Sequence, residues 1–195
     1  KRKKQQPMQM GVCYSVQRVG KRGLKTLVAA EPVGAVSPIY GEQQYLLFYL
    51  NELNVRLTRD TDLSERLFDQ YQAIVDALRH QLPVEPYLRA YELALFSEIG
   101  YASTVLYHPD QIVVTKYYGV TAGGDLQVVD GHHVVMKQPV IRGDILSAIA
   151  QADWTVDKAL VAAKHLNRTL INIRLNGKPL KSRELYIRYR EAVND

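Results

Sequence analysis

Three residues of one helical segment combine a cation with apolar side chains. Arg89, Leu93 and Phe96 are spaced four and three residues apart, so a helix places them on one strip. An arginine beside exposed apolar groups suits an acidic peptide with a hydrophobic end, because the guanidinium holds a carboxylate through two parallel hydrogen bonds. A structural alternative stays open: Arg89 pairs with Glu92 or Glu85, and the apolar residues belong to the core.

A second candidate lies near the C-terminus, in residues 177–185. Its Gly-x-Pro start predicts a turn, after which Ser182 is placed to cap a helix. Lys178, Lys181 and Arg183 surround the start of that helix, where cations oppose the helix dipole. An anion bound by these side chains and by free backbone N–H groups would relieve the repulsion. The alternative is an ordinary cap with solvated charges.

The net charge of +5 conceals two basic ends around an acidic middle. Residues 1–25 contain eight basic groups and no acid, and residues 164–190 contain another eight opposed only by Glu184. Residues 26–163 carry a net charge of −8. Basic clusters of this kind indicate a polyanionic partner, because each neutralised phosphate releases counterions. A solvated surface without a partner is the alternative.

The sequence favours no catalytic, metal or cofactor site. His132 and His133 are adjacent in a turn-prone segment and would point in opposite directions on a strand. Cys13 is the single cysteine, which excludes a cysteine-rich zinc site. A magnesium-dependent nuclease would have to use acids that fit helix caps and faces better: Asp60, Asp62 or Asp69. No apolar run reaches the roughly 18 residues of a membrane span, which excludes a transmembrane protein. No stretch resembles a secretory signal, so we expect a cytoplasmic protein.

The elements that position these residues follow from hydrophobic periodicity. Residues 8–19 and 24–30 predict a β-hairpin. The first helix is predicted over 39–59 and the second from about Asp62, with Thr61 or Asp62 as its cap. The third helix is predicted from Pro86 to Ile99. Strands are predicted at 112–115, 126–129 and 134–136, and helices at 142–151, 155–171 and 182–192. Because two strands are unstable alone, and because the chain begins at Lys1, we expect further residues before it.

Five stretches together resemble the RecO family of bacterial recombination mediators. They occur in the family's order and extend over nearly the whole chain: Gly23–Leu27 with Glu31–Pro32, Tyr49–Leu53, Leu67–Tyr71, Glu85–Leu93 with Gly100–Tyr101, and Gly177–Leu185. The resemblance implies an α+β chain, with the last strands of an N-terminal OB-fold β-barrel in residues 1–33. A mainly α-helical domain would occupy residues 34–195, with a small β insert near 111–136. The single cysteine places the chain with relatives that lack the four-cysteine zinc site.

The resemblance also implies a function without catalysis. Such proteins bind single- and double-stranded DNA, anneal complementary strands, contact RecR and bind the acidic, Phe-ending tail of single-stranded DNA-binding protein. The family's tail site maps to Arg89 and Leu93, and helical spacing adds Phe96. From charge we select candidate DNA contacts in two groups: Arg18, Lys21, Arg22 and Lys25, and then Lys178, Lys181 and Arg183. A cytoplasmic, nucleoid-associated mediator is expected; a protein-interaction adaptor without DNA binding of its own is the alternative.

Overall fold

The computed structural model describes residues 7–20, 25–34, 38–58, 64–129 and 138–194, and its fold is α+β as predicted. A β-hairpin precedes a helical body into which a small sheet is inserted. The strands are β1 (Tyr14–Val19), β2 (Thr26–Pro32), β3 (Tyr117–Val120), β4 (Leu126–Val129) and β5 (Val140–Arg142). The helices are α1 (Glu42–Leu57), α2 (Glu65–Arg79), α3 (Glu85–Glu98), α4 (Thr104–Tyr107), α5 (Gly143–Ala150), α6 (Ala159–Arg174) and α7 (Lys181–Asn194). Within these described residues, no helix combines the length and apolarity needed to cross a membrane.

The N-terminal segment forms the predicted hairpin. Strands β1 and β2 are antiparallel, with Tyr14 opposite Pro32, and their register shifts between Gln17 and Arg18. The hairpin approaches the helical body at Gly11, whose carbonyl accepts a hydrogen bond from Nη2 of Arg79. The membership of this hairpin in an OB-fold barrel, and the division of the chain at residue 33, stay predictions.

The first three helices form where the apolar spacing predicts them. Leu47, Leu50 and Leu53 of α1 lie in the core with exposures of 1% or less. Helix α2 is capped by Ser64, whose hydroxyl accepts the backbone N–H of Leu67 at 3.3 Å. The predicted cap at Thr61 or Asp62 is therefore wrong, and those two residues lie outside the described part of the chain. Ser64, which directly precedes the helix, is the N-cap residue.

The third helix and its ends agree with the prediction. Pro86 lies in the first turn of α3, where its missing N–H removes no helical hydrogen bond. Gly100 follows the helix with a φ of +73°, a left-handed conformation that favours glycine. The helix packs between α2 and α6, so residues on two of its sides are buried.

The inserted sheet differs from the prediction at its edges. Strand β3 lies between β4 and β5, and residues 134–136 lie outside the described part of the chain. The predicted strand at 112–115 is wrong, because this segment is a turn packed against the start of α5. There the N–H groups of Gly143 and Asp144 bond to the carbonyls of Lys116 and Val114 at 2.8 and 3.2 Å. β-Branched residues favour a strand locally. Here, however, the carbonyls of Val114 and Lys116 accept hydrogen bonds from the first residues of α5 and not from a neighbouring strand.

The last three helices complete the body. Helix α5 begins directly after β5, and α6 packs against both α3 and α5. Helix α6 starts at Ala159 rather than near residue 155, because Asp153 accepts the N–H and the hydroxyl of Thr155 in a tight turn. Helix α7 packs on α1. The arrangement brings α1, α3, α6 and α7 around one surface groove.

Candidate functional site

The groove between α1, α3, α6 and α7 has a volume of about 750 Å³ and combines basic, aromatic and aliphatic side chains. Its cations come from three helices: Arg89, Lys164, Arg168 and Arg183. Its tyrosines come from both ends of the chain: Tyr40, Tyr45, Tyr49 and Tyr186. Its aliphatic side chains come from α1, α2, α3 and the connection before α3, namely Leu46, Leu78, Leu82, Val84 and Leu88. Two acids, Glu42 and Glu85, also belong to the lining.

Arg89 is held by a carboxylate one turn further along α3. Its Nη1 donates to Oε1 and Oε2 of Glu92 at 3.0 and 2.7 Å, and only 8% of the residue is exposed. The Arg89–Glu92 alternative considered from the sequence is therefore part of the structure. Within the described residues, however, no hydrogen bond engages Nε or Nη2 of Arg89. The guanidinium thus has donors left for a ligand in the groove that it lines.

Glu92 is the centre of a buried polar network that fixes Arg89. Nδ2 of Asn167 donates to Oε2 of Glu92 at 2.8 Å and to the Arg89 carbonyl at 3.2 Å, and the Tyr49 hydroxyl donates to Oε1 of Glu92. Burial raises the pKa of Glu92, although the charge of Arg89 and these hydrogen bonds act in the opposite direction. Burial together with the neighbouring Glu92 charge also raises the pKa of the Tyr49 hydroxyl.

The other cations of the groove are less constrained. Nζ of Lys164 lies 3.9 Å from Oε1 of Glu85, and both side chains are more than half exposed, so this pair is weak. Arg168 and Arg183 form no ion pair with any described residue. Positive charge in the groove is therefore available to an anion.

The structure separates the three residues of the predicted peptide strip. Phe96 has 1% exposure and belongs to the core, so its predicted place on a binding surface is wrong. Leu93 is half-buried and lines a different cavity of about 260 Å³ beside Arg66 and Gln70. Only Arg89 faces the large groove. Helical spacing could not reveal this, because α3 is covered on two sides by other helices.

The apolar part of the groove comes from residues outside the predicted peptide site. Tyr45, Leu46 and Tyr49 belong to the apolar spacing that predicts the first helix, and the structure places all three in the groove lining. Leu82 is 51% exposed and lies in the short connection between α2 and α3. The sequence signal was only a leucine directly before Pro83, since its exposure is seen in the structure alone.

The predicted DNA contacts fall into separate places. Arg18 and Lys25 are exposed on the hairpin, while Lys21 and Arg22 lie outside the described residues. Lys178 and Lys181 are exposed around the start of α7. Arg183 is half-buried and lines the groove together with Arg89. One of the three C-terminal DNA candidates thus belongs to the same site as the predicted peptide clamp, together with Lys164 and Arg168 of the same basic region.

The predicted anion site at the start of α7 is occupied by the protein itself. Oε1 of Glu52 accepts the Lys181 N–H at 3.0 Å, and Oε2 accepts the Ser182 N–H and hydroxyl at 2.8 and 2.7 Å. Burial raises the pKa of Glu52, but these hydrogen bonds and one from Arg56 outweigh it and lower that pKa overall. The expectation that these N–H groups are free for an external anion is therefore wrong.

Among the described residues, no three His, Cys, Asp or Glu side chains are arranged to hold a metal ion. Asp60, Asp62, His132 and His133 lie outside that part of the chain. Asp69, the third acid considered for a nuclease, is exposed on α2.

Comparison with known proteins identifies relatives over most of the chain. The family model described as "Recombination protein O C terminal" matches residues 41–105, which include α1, α2 and α3. A protein of Stutzerimonas stutzeri named DNA repair protein RecO is 36% identical over 186 residues, covering 94% of this chain and 77% of that protein. Proteins of the same name from Pseudomonas paraeruginosa and Pseudomonas putida are 33% and 32% identical, each covering 90% of this chain and 75% and 76% of the relative. The matched family segment contains both Arg89 and Glu92.

Proposed function

The chain belongs to the RecO family, and on that basis we propose that it is a non-enzymatic mediator of recombination. Its role is in DNA repair and recombination. In the proposed mechanism it binds single- and double-stranded DNA and anneals complementary strands. It also helps to load the recombinase onto strands coated by single-stranded DNA-binding protein, in the cytoplasm at the nucleoid.

The groove beside Arg89 is the observation that carries the recruitment step. An acidic peptide tail needs cations for its carboxylates and an apolar surface for its terminal phenylalanine. Arg89, Arg168 and Arg183 supply the cations, and Leu82 and Leu88 belong to the apolar lining. Arginine suits this role, because its planar donors match a carboxylate and its position here is fixed by Glu92. We therefore assign the tail to this groove, with Arg89 as the clamp.

The basic residues outside the groove support the annealing step. Arg18, Lys25, Lys178 and Lys181 are exposed and suited to phosphate contacts. Lys21 and Arg22 lie outside the described residues and are included in the proposal because of their charge in the sequence. Neutralising the phosphates of two strands reduces their repulsion, so annealing requires no covalent chemistry. The proposed partners also include RecR.

The rival function is a protein-interaction adaptor whose basic residues serve solubility only. It shares the peptide groove but predicts no binding of oligonucleotides. A titration of labelled single-stranded DNA with the full chain separates the two functions, because only the mediator gives saturable, salt-sensitive binding.

The test of the peptide site is fluorescence anisotropy with a labelled acidic peptide ending in Asp-Ile-Pro-Phe. We expect binding by the wild-type chain that weakens about ten-fold or more in Arg183→Ala, since a charged hydrogen bond contributes about 1.5–3 kcal/mol. The matched control is Arg188→Ala, which removes the same charge from the exposed side of α7 outside the groove. Removal of the terminal phenylalanine should weaken binding as well. Equal losses in Arg183→Ala and Arg188→Ala would contradict the assignment of the groove.

A further inference from the structure

Helix α7 forms one wall of the groove, and its attachment to the rest of the molecule is concentrated on α1. Arg183 and Tyr186 of α7 line the groove, and α1 is the main packing partner of this helix. Before α7, Asn176 and Gly177 have φ values of +51° and +72°, so the chain turns sharply there. The position of this wall therefore depends on the contacts between α7 and α1.

Glu52 makes the most extensive polar contact across this junction. Its two carboxylate oxygens accept three hydrogen bonds from Lys181 and Ser182, the first two residues of α7. Residue 52 lies 129 positions from residue 181, so the contact joins distant parts of the chain. The carboxylate also lies at the positive end of the helix dipole, which strengthens the attachment.

Arg56 extends the same attachment one turn along α1. Its Nη1 donates to Oε1 of Glu52 at 3.1 Å and to the carbonyl of Pro179 at 2.7 Å. The segment just before α7 is therefore held by the same pair of α1 side chains. A second polar contact, in which Tyr186 and Arg190 donate to Glu42, is exposed to solvent and contributes less than the hydrogen bonds to Glu52. Aromatic packing of Tyr45 of α1 on Tyr186 and Tyr189 accompanies it.

Because Arg183 directly follows the residues that Glu52 holds, the position of its side chain depends on this carboxylate. We propose that Glu52 is a positioning residue for the peptide groove: it anchors the start of α7 and thereby keeps Arg183 in the lining. Glu52 itself is not part of that lining. This inference rests on the proposed function, since the ligand that Arg183 meets is the acidic tail.

A double-mutant cycle tests the proposal with the same labelled peptide. Glu52→Gln keeps the size of the side chain but removes its charge and one of its two acceptors. We expect it to weaken peptide binding about five- to ten-fold in the wild-type background and less than about two-fold in an Arg183→Ala background. Glu184→Gln is the control, because it changes the net charge equally on an exposed position of α7. Equal effects of Glu52→Gln in both backgrounds would overturn the proposal.

Limited digestion with trypsin measures the anchoring without any ligand. Release of α7 exposes the peptide bonds after Lys181 and Arg183, so Glu52→Gln should be cut there several-fold faster than the wild-type chain. Unchanged cleavage would overturn the anchoring by Glu52 even if peptide binding were weakened. Failure of the wild-type chain to bind the peptide would instead overturn the proposed function, and cleavage would still decide whether Glu52 anchors α7.

Discussion

Replacing Arg89 with alanine should weaken both the fold and peptide binding, because this side chain pairs with Glu92 and is the proposed clamp of the peptide. Glu92 is 1% exposed and relies on Arg89 as its cation, so the substitution leaves a buried carboxylate without a counter-charge. Breaking a buried ion pair costs about 3–5 kcal/mol in the free energy of unfolding. Tyr49 and Asn167 still donate to Glu92, which favours the lower end, near about 3 kcal/mol.

The stability loss should depend on pH through Glu92. The pKa of this carboxyl is already raised above 4.5 by burial, and removal of the Arg89 charge raises it further. A carboxyl with a raised folded-state pKa binds its proton more tightly in the folded protein than in the unfolded chain. The free energy of unfolding of Arg89→Ala should therefore be closest to wild type below pH 4.5 and fall as the pH rises through the raised pKa. Urea unfolding at a series of pH values measures this difference.

A compensated variant separates stability from binding. Arg89→Met together with Glu92→Gln removes both charges. Tyr49 and Asn167 bond to different oxygens of Glu92, so the new amide oxygen can accept from Asn167 while the amide N–H donates to the Tyr49 hydroxyl oxygen. We expect its free energy of unfolding to return to within about 1–2 kcal/mol of wild type. Its peptide affinity should remain at least about ten-fold weaker than that of the wild-type chain, because the proposed clamp is absent. The reasoning is refuted if Arg89→Ala unfolds like wild type, or if the compensated variant binds the peptide normally.

Three further predictions concern the scaffold and the DNA contacts. Gly143→Ala should lower the free energy of unfolding by about 2 kcal/mol or more in thermal or urea denaturation, because a Cβ there would lie 2.1 Å from the Val113 carbonyl oxygen; an unchanged midpoint would contradict this contact. Ser64→Ala should cost about 1 kcal/mol in the same assay through loss of the α2 cap, with Ser97→Ala as a control outside it. The affinity for single-stranded DNA should fall steeply with salt, with a log–log slope of about −0.7 per phosphate contacted, and Lys181→Ala should make that slope shallower; a flat salt dependence would argue for the adaptor.

Several features of this protein could be predicted from the sequence because they depend on neighbouring residues. The spacing of Leu47, Leu50 and Leu53 predicts a helix with one buried face, and Gly100 marks the end of α3. Paired β-prone runs predict the hairpin, and the five family stretches identify RecO before any coordinates are considered. The same local reasoning failed at residues 112–115, where a β-branched run packs against the start of α5 rather than extending a sheet.

The candidate site depended on contacts between distant segments. Arg89 could be selected from the sequence as a predicted clamp, but its companions in the groove come from helices up to about 100 positions away, and Phe96 belongs to the core. The start of α7 had the composition of an anion site, yet Glu52 fills it from α1. Helical spacing determines which residues share a strip, whereas the packing of other helices decides whether that strip is buried or open. Only the tertiary structure brings α1, α3, α6 and α7 together and joins Arg89 and Arg183 in one groove.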